Sequence, residues 1–248
     1  MPSPAPTRCR SSSRRGPRRG QQELPLRERF GWGGRREGAG RKRSGRQSYV
    51  PHRRREPFTA REPVHITLTL GKAFRFLRTR AQAVVLRAAF SGGRNYPGFR
   101  LNHFSVQANH LHFICEADDQ RVLARGMIGL TVRISKPLNR LVKRKGRVFA
   151  ERYHVHVLRT PIEVRRALVY CLQNARHHPT SGAPPPGTPW MDPYSSARFF
   201  DGWKAPPDLT GLTVPEEETV VAPRSWLLRT GWKIHGLIDA CEGPAVRS

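Results

Sequence analysis

This sequence predicts an α+β fold of the ferredoxin-like type, with elements in the order βαββαβα. Three observations carry that reading. Val64-His65-Ile66-Thr67-Leu68-Thr69-Leu70 alternates large apolar residues with smaller or polar ones, the pattern of a half-buried strand. Two further strand-like runs, 99–106 and 110–117, are joined by a tight turn near Ala108-Asn109 and form a hairpin. Amphipathic stretches over 72–90 and 121–142 each follow a strand. The chain thus falls into two βαβ-type halves around an antiparallel sheet, with helices on one face.

Each element has a local cause. In 72–90 the apolar positions 74, 77, 84, 85 and 88 are separated by arginines, and Ser91-Gly92-Gly93 ends the pattern. Asp118 or Asp119 caps the second helix. A basic turn, Lys143-Arg144-Lys145-Gly146-Arg147, leads into a strand over 148–158. Thr160-Pro161 with Glu163 is a helix-start signature for a helix over 161–178. The domain therefore spans 64–178. A Pro/Gly-rich linker, 179–189, precedes an extension over 190–248. That extension holds Trp190, Tyr194, Phe199, Phe200, Trp203, Trp226 and Trp232, too many aromatics for a disordered segment, and a short helical piece over 225–238 broken by Gly231. Residues 1–63 are dense in Arg, Gly, Pro and Ser. They cannot bury enough apolar surface to offset chain entropy, so a basic disordered tail is expected.

The charge balance narrows the partner. Lys and Arg total 45 against 18 Asp and Glu in 248 residues, a formal net charge of +27. Such an excess seeks a polyanion, because each phosphate neutralised releases condensed counterions. No run approaches the roughly 18 apolar residues of a membrane span, which favours nucleic acid over a membrane. Cysteines stand at 9, 115, 171 and 241 without a Cys-x-x-Cys pair, so neither a zinc knuckle nor a disulfide framework is indicated. Reduced thiols in a cytoplasmic protein are expected, with Cys171 as a packing residue. The second helix and its turn carry Arg133, Lys136, Arg140, Lys143, Arg144, Lys145 and Arg147 with no acid among them, a phosphate-facing surface.

The chemistry is concentrated in two places. His110 and His112 lie two apart on a strand and so share one face, where two imidazoles can hold one divalent ion. Tyr170 and Asn174 lie one turn apart on one face of a helix. A histidine pair, a tyrosine and an amide together suggest a metal-assisted, tyrosine-based nuclease. A second pair, His154-Val155-His156, has the same spacing but no preceding Asn. Tyr153 and Tyr194 are read as packing residues, and Tyr194 also as a stacking one. Glu116 shares the strand face of His110 and is read as an orienting group or a solvent-facing strand end.

Asn109-His110-Leu111-His112 resembles the Asn-His-hydrophobic-His element of the HUH single-strand transposases. Phe149-Ala150-Glu151-Arg152-Tyr153, followed by Tyr170-x-x-x-Asn174, resembles the downstream half of the REP-associated tyrosine transposases, a type with the IS200-like transposase domain. The resemblance covers about 63–178. It implies a transesterase acting on single-stranded or hairpin DNA, working as a monomer or a homodimer. Tyr170 would be the nucleophile forming a 5′-phosphotyrosine link and leaving a 3′-OH. His110, His112 and Asn174 would hold Mg²⁺ or Mn²⁺, with His177 able to replace Asn174. The family commonly has Asn-Pro where this chain has Asn174-Ala175.

Two rivals remain open at this stage. One is another HUH endonuclease, such as a replication initiator or relaxase; no phosphate loop of the Gly-x-x-x-x-Gly-Lys type accompanies the domain. The other is a DNA- or RNA-binding module on the same scaffold without chemistry. An RNA-recognition module displays aromatics on its open sheet face. The first strand offers His65, Thr67 and Thr69 on one side and Val64, Ile66, Leu68 and Leu70 on the other.

Overall fold

The computed structural model describes residues 55–177, 182–185, 187–205 and 218–244. They belong to one compact unit, residues 48–248. Most of the expected basic tail, residues 1–54, lies outside the described residues. The sheet is open, antiparallel and five-stranded. Its strands are β1 (Val64–Thr69), β2 (Asn95–Tyr96), β3 (Phe99–Val106), β4 (His110–Ala117) and β5 (His154–Val157), in the order β2-β3-β4-β1-β5. With the two-residue β2 set aside, this is the strand arrangement of a ferredoxin-like fold.

Alternation decides what each face carries. Val64, Ile66 and Leu68 of β1, Phe99, Leu101, Phe104 and Val106 of β3, and Leu111, Phe113 and Cys115 of β4 join one core. A bulge between Leu101 and His103 brings Leu101 and Phe104 to the same face although they are three apart. Helices α1 (Arg80–Gly93) and α2 (Gln120–Leu141) cover this face with Leu86, Phe90, Leu123, Met127, Leu130, Ile134 and Leu138. Each such side chain contributes about 1.5–3 kcal/mol through burial. Asp119 caps α2, its carboxylate accepting from Arg121 N and Val122 N at 2.7 and 2.8 Å. Gly126 of α2 lies against the Phe99 ring, in space that a Cβ would need.

Two expected elements are redrawn and one short strand is added. The helix over 72–90 is a 3-10 turn (Lys72–Phe74) followed by α1, which Thr79 caps. Phe74 and Leu77 are buried in the core, while Arg78 donates to Val106 O and pairs with buried Asp192. These anchors fix the intervening chain outside helical geometry, and α1 then continues through the predicted stop to Gly93. Strand β2 has too few residues for periodicity to reveal; it turns back onto β3 through Gly98, at φ 78°. The strand over 148–158 is only β5 in its second half, with Val148–Ala150 tied by Gly71 N→Val148 O and Ala150 N→Thr69 O.

Helix α3 (Pro161–Gln173) starts as expected, with Thr160 and Glu163 completing a reciprocal capping box. The expectation of helices on one face holds for α1 and α2; α3 takes the opposite face. Its apolar Val164, Leu168, Cys171 and Leu172 form a second core with Ile114 of β4, Leu158, and Met191, Phe200, Trp232 and Ile238 of the C-terminal extension. That extension includes α4 (Trp226–Arg229) and a 3-10 turn (Gly231–His235), so the predicted break at Gly231 divides two packed pieces. The Arg176 guanidinium donates to the carbonyls of Pro184, Pro185 and Thr188, holding the described part of the 179–189 segment. At the other end, order begins before residue 64. Phe58 is buried in the first core, and Arg55 lies over the Tyr153 ring at 3.8 Å. Among the described residues no helix is long and apolar enough to cross a membrane.

Candidate functional site

Leu111 and Phe113 are fully buried in the first core. Their anchoring turns the residues between and beside them, His110 and His112, toward the α3 face. The two imidazole centroids are 4.7 Å apart and nearly perpendicular. His112 is buried and lies opposite Thr67 of β1, whose Oγ1 is 3.2 Å from His112 Nδ1. His110 is half-buried at the strand's start, with Nδ1 2.9 Å from Asn109 Oδ1. Each ring is thus held at Nδ1 by a neighbouring oxygen, and Nε2 is the nitrogen through which it would bind an ion.

Helix α3 brings Tyr170 onto this pair. Its ring stands edge-on to His112, at a centroid distance of 5.1 Å and 85°. Asn174 follows one turn later, as the C-cap of α3 and the first residue of a 3-10 turn (Asn174–His177). It is 1% exposed, and neither its amide oxygen nor its amide nitrogen has a hydrogen-bond partner among the described residues. A buried amide left in that state costs about 1–3 kcal/mol. His177 lies near the same tyrosine, ring centroids 6.2 Å apart. Of the residues expected at the site, His110, His112, Tyr170 and His177 form a chain of ring contacts, and Asn174 lies buried one turn beyond the tyrosine.

The donor chemistry fits a small divalent cation. Two imidazoles with oriented Nδ1 atoms and an unsatisfied buried amide make a mixed nitrogen and oxygen set. Among the described residues no group of three or more His, Cys, Asp or Glu is arranged to hold a metal.

One neighbour was missed in the sequence. His65 of β1 stacks on His112, with centroids 5.3 Å apart and planes 27° apart, and meets Tyr170 edge-on at 5.7 Å. Its Nε2 is buried without a hydrogen bond among the described residues. Burial, helped by the charge of His156, lowers its pKa to about 4, so the ring is neutral at pH 7. The alternation that put His65 and Thr67 on one face was visible; that β1 lies beside β4 in this register was not.

The remaining candidates have other surroundings. His154 and His156 are exposed on the edge strand β5, opposite Thr67 and His65, and His154 Nε2 is 3.7 Å from Glu151. Glu116 neither orients a histidine nor faces solvent. It is buried and accepts from Arg224 N and Ser225 N at 2.7–3.0 Å, fastening the C-terminal segment to β4. Tyr153 packs against the first core under Arg55, and Tyr194 under Arg78. Cys171 is fully buried, and burial pushes its thiol pKa up, in keeping with packing. Arg133, Lys136, Arg140, Lys143, Arg144, Lys145 and Arg147 are all exposed. They do not share one setting. Arg133, Lys136 and Arg140 sit on α2, across the sheet from Tyr170. The turn bearing the other four leads into Val148–Ala150, which is bonded to Gly71 and Thr69. Thr69 is the register partner of His110.

No family model matches the chain. Nor does any curated protein. Among solved structures, the chain is similar to a REP-associated tyrosine transposase bound to a REP hairpin. The identity is 20% and the TM-score 0.42, over 52% of this chain and 75% of that one.

Proposed function

We propose that this protein is a metal-dependent transposase or nuclease that cleaves and rejoins single-stranded or hairpin DNA through Tyr170. The observation that carries the reading is the packing of the Tyr170 ring 5.1 Å from His112, on the face that also holds His110 and the unsatisfied amide-bearing helix end. His110, His112 and Asn174 would hold Mg²⁺ or Mn²⁺, and such an ion acts as a Lewis acid on a phosphate oxygen.

The chain's own residues do the rest. The Tyr170 oxygen attacks phosphorus, and a new O–P bond forms as the bond to the 3′ oxygen breaks. The phenol proton passes to solvent, and the departing oxygen takes up a proton as a 3′-OH. The phosphate stays esterified to Tyr170, so its bond energy is kept for rejoining. Asn109 and Thr67 fix the two imidazoles, while His65 encloses the ring of His112 from β1. Orientation of the Tyr170 ring over the imidazoles by α3 is the main contribution of the fold to this attack. An RNA-recognition module needs this sheet face open for stacking bases; here α3 and the second core cover it.

The test is covalent capture on a denaturing gel, using end-labelled hairpin DNA and Mn²⁺. Wild type should give a labelled protein band; Tyr170→Phe should give none while still shifting DNA on a native gel. His110→Ala should lose the band and recover little of it with added metal. A normal adduct from Tyr170→Phe would remove the nucleophile assignment. DNA binding without any adduct in wild type would favour the binding module.

A further inference from the structure

Beside the first half of β3 lies an open cleft of about 720 Å³, bounded by the end of α1 and by residues 199–201 and 218–223 of the C-terminal extension. Asn102 and His103 of β3 line it, at the bulge where the ladder to β4 is interrupted. Asn102 is 1% exposed, and its amide is fixed in orientation. Nδ2 donates to Val221 O at 3.1 Å and to Glu116 Oε2 at 3.4 Å. Both partners are acceptors, so the amide nitrogen and oxygen cannot exchange places. Asn102 Oδ1 is then a buried acceptor with no hydrogen bond among the described residues. An acceptor left in that state is unfavourable, and the cleft is the side from which a donor can come.

The charges here run against the rest of the molecule. The chain as a whole carries +27, yet the lining holds two carboxylates, Asp201 and Glu218, against one cation, Arg94. Arg94 is occupied: its guanidinium donates to Ser91 O and Ser91 Oγ at 2.9 Å and stands 3.8 Å from Glu218. Asp201 is exposed and makes no ion pair among the described residues. His103 adds no positive charge, because burial lowers its pKa to about 4 against the opposing pull of Asp201. Just outside the lining, Arg100 is 3.8 Å from Glu116, and Arg198 lies over the Phe199 ring at 5.3 Å. Much of the remaining wall is apolar, with Phe200, Val221, Pro223 and Leu228. Such a cleft repels phosphate. A bare metal ion also fits poorly, since no three His, Cys, Asp or Glu among the described residues converge to hold one.

We propose that this cleft binds a small aliphatic amine, with its ammonium group donating to Asn102 Oδ1 and paired with the Asp201 carboxylate, and its alkyl chain on the apolar wall. A primary ammonium brings three N–H donors and one positive charge. Those are what an unpartnered acceptor and an unpaired carboxylate lack. The alkyl chain buries apolar surface while the charged head stays at the polar end. A diamine has a second ammonium for Glu218. The site is separate from the histidine face and does not depend on the chemistry of Tyr170.

Isothermal calorimetry on the full-length protein tests this with n-butylamine and 1,4-diaminobutane at matched ionic strength. 1-Butanol and butyrate serve as the neutral and anionic counterparts. Both amines should bind at one site, the diamine more tightly, and neither counterpart should bind. Asp201→Asn, at an exposed position, should weaken the amines about threefold, and the loss should shrink as salt rises. Asn102→Leu should weaken them at least about tenfold, because a charge-assisted hydrogen bond is lost; melting curves check that this variant folds. Equal amine affinity in wild type and Asp201→Asn would overturn the proposal. So would binding of 1-butanol as tight as that of n-butylamine, or no heat of binding from either amine.

Discussion

The two faces of the sheet are made by alternate residues of the same strands, yet they have different uses. Toward α1 and α2 the strands present Val64, Ile66, Leu68, Leu101, Phe104, Leu111 and Phe113, each at most 2% exposed. Toward α3 they present His65, Thr67, His103, Ser105, His110, His112 and Glu116, relieved by Ile114. A domain needs one well-packed apolar core to fold. Once the first face supplies it, the second can carry polar groups, several of them held by local hydrogen bonds. Its smaller apolar cluster serves chiefly to seat α3, and with it Tyr170, over the imidazoles.

The largest effect that sharpens this contrast comes from adjacent positions on β4. Phe113→Ala opens a cavity in the first core and should cost about 3–5 kcal/mol. His112→Ala, one residue away on the other face, should cost only about 1 kcal/mol through the lost Thr67 contact, while removing the adduct that the proposed function requires. Urea unfolding of both variants checks the pair. Similar losses would mean that the histidine face is also a folding core.

How much of this was legible depended on whether a feature is local. The alternation of β1 and β4, the Asp119 cap and the Thr160–Glu163 box are encoded within a few residues, and each was readable. His110, His112 and Tyr170 were legible as candidates from their spacing. The position of α3 across the sheet was not, because its apolar partners, Met191, Phe200 and Trp232, lie far along the chain. His65 was hidden for the same reason: its value comes from strand order. Glu116 was misread because its partners are backbone N–H groups of residues 224 and 225.

Acid should act on the polar face in particular. His103 is buried beside Ser196, Nδ1 to Oγ 3.3 Å, and burial lowers its pKa from 6.5 to about 4. The unfolded chain takes up this proton below pH 6.5, whereas the folded chain resists it until about pH 4. The stability contribution is complete above pH 6.5, falls as the pH drops, and is gone below about pH 4, about 3 kcal/mol in all. His65 follows the same course. Unfolding midpoints between pH 7 and 4 should fall for wild type and less steeply for His103→Gln. An unchanged slope would remove His103 from the account.

A smaller effect probes the apolar face by overfilling it. Gly126→Ala places a methyl group within the space of the Phe99 ring and should cost about 1–3 kcal/mol. Adding Phe99→Leu should return part of that loss, because neighbours sharing one space are not additive. Thermal melts of the two single variants and the double variant give the coupling. Strict additivity would show that α2 simply shifts away.

The smallest effect on stability tests whether the cations follow the same division of faces. Arg133→Ala/Lys136→Ala/Arg140→Ala clears charge from α2, on the layer away from Tyr170. Lys143→Ala/Arg144→Ala/Lys145→Ala/Arg147→Ala clears the turn that leads to Val148–Ala150 and the Thr69–His110 end of the sheet. All seven are exposed, so each should change stability by no more than about 0.5 kcal/mol. Arg144 has a packing contact, its guanidinium 5.3 Å from the Phe74 ring centroid, and Arg133 donates to Gly129 O at 3.3 Å. Log affinity against log salt reads the number of phosphates each set touches, about 0.7 per single-strand contact. The turn variant should lose more of that slope, and lose adduct formation with it, because its cations stand near the strand end that carries His110. Equal losses from both sets would mean that nucleic acid wraps the α2 layer as well, and that the division between a structural face and a working face stops at the sheet.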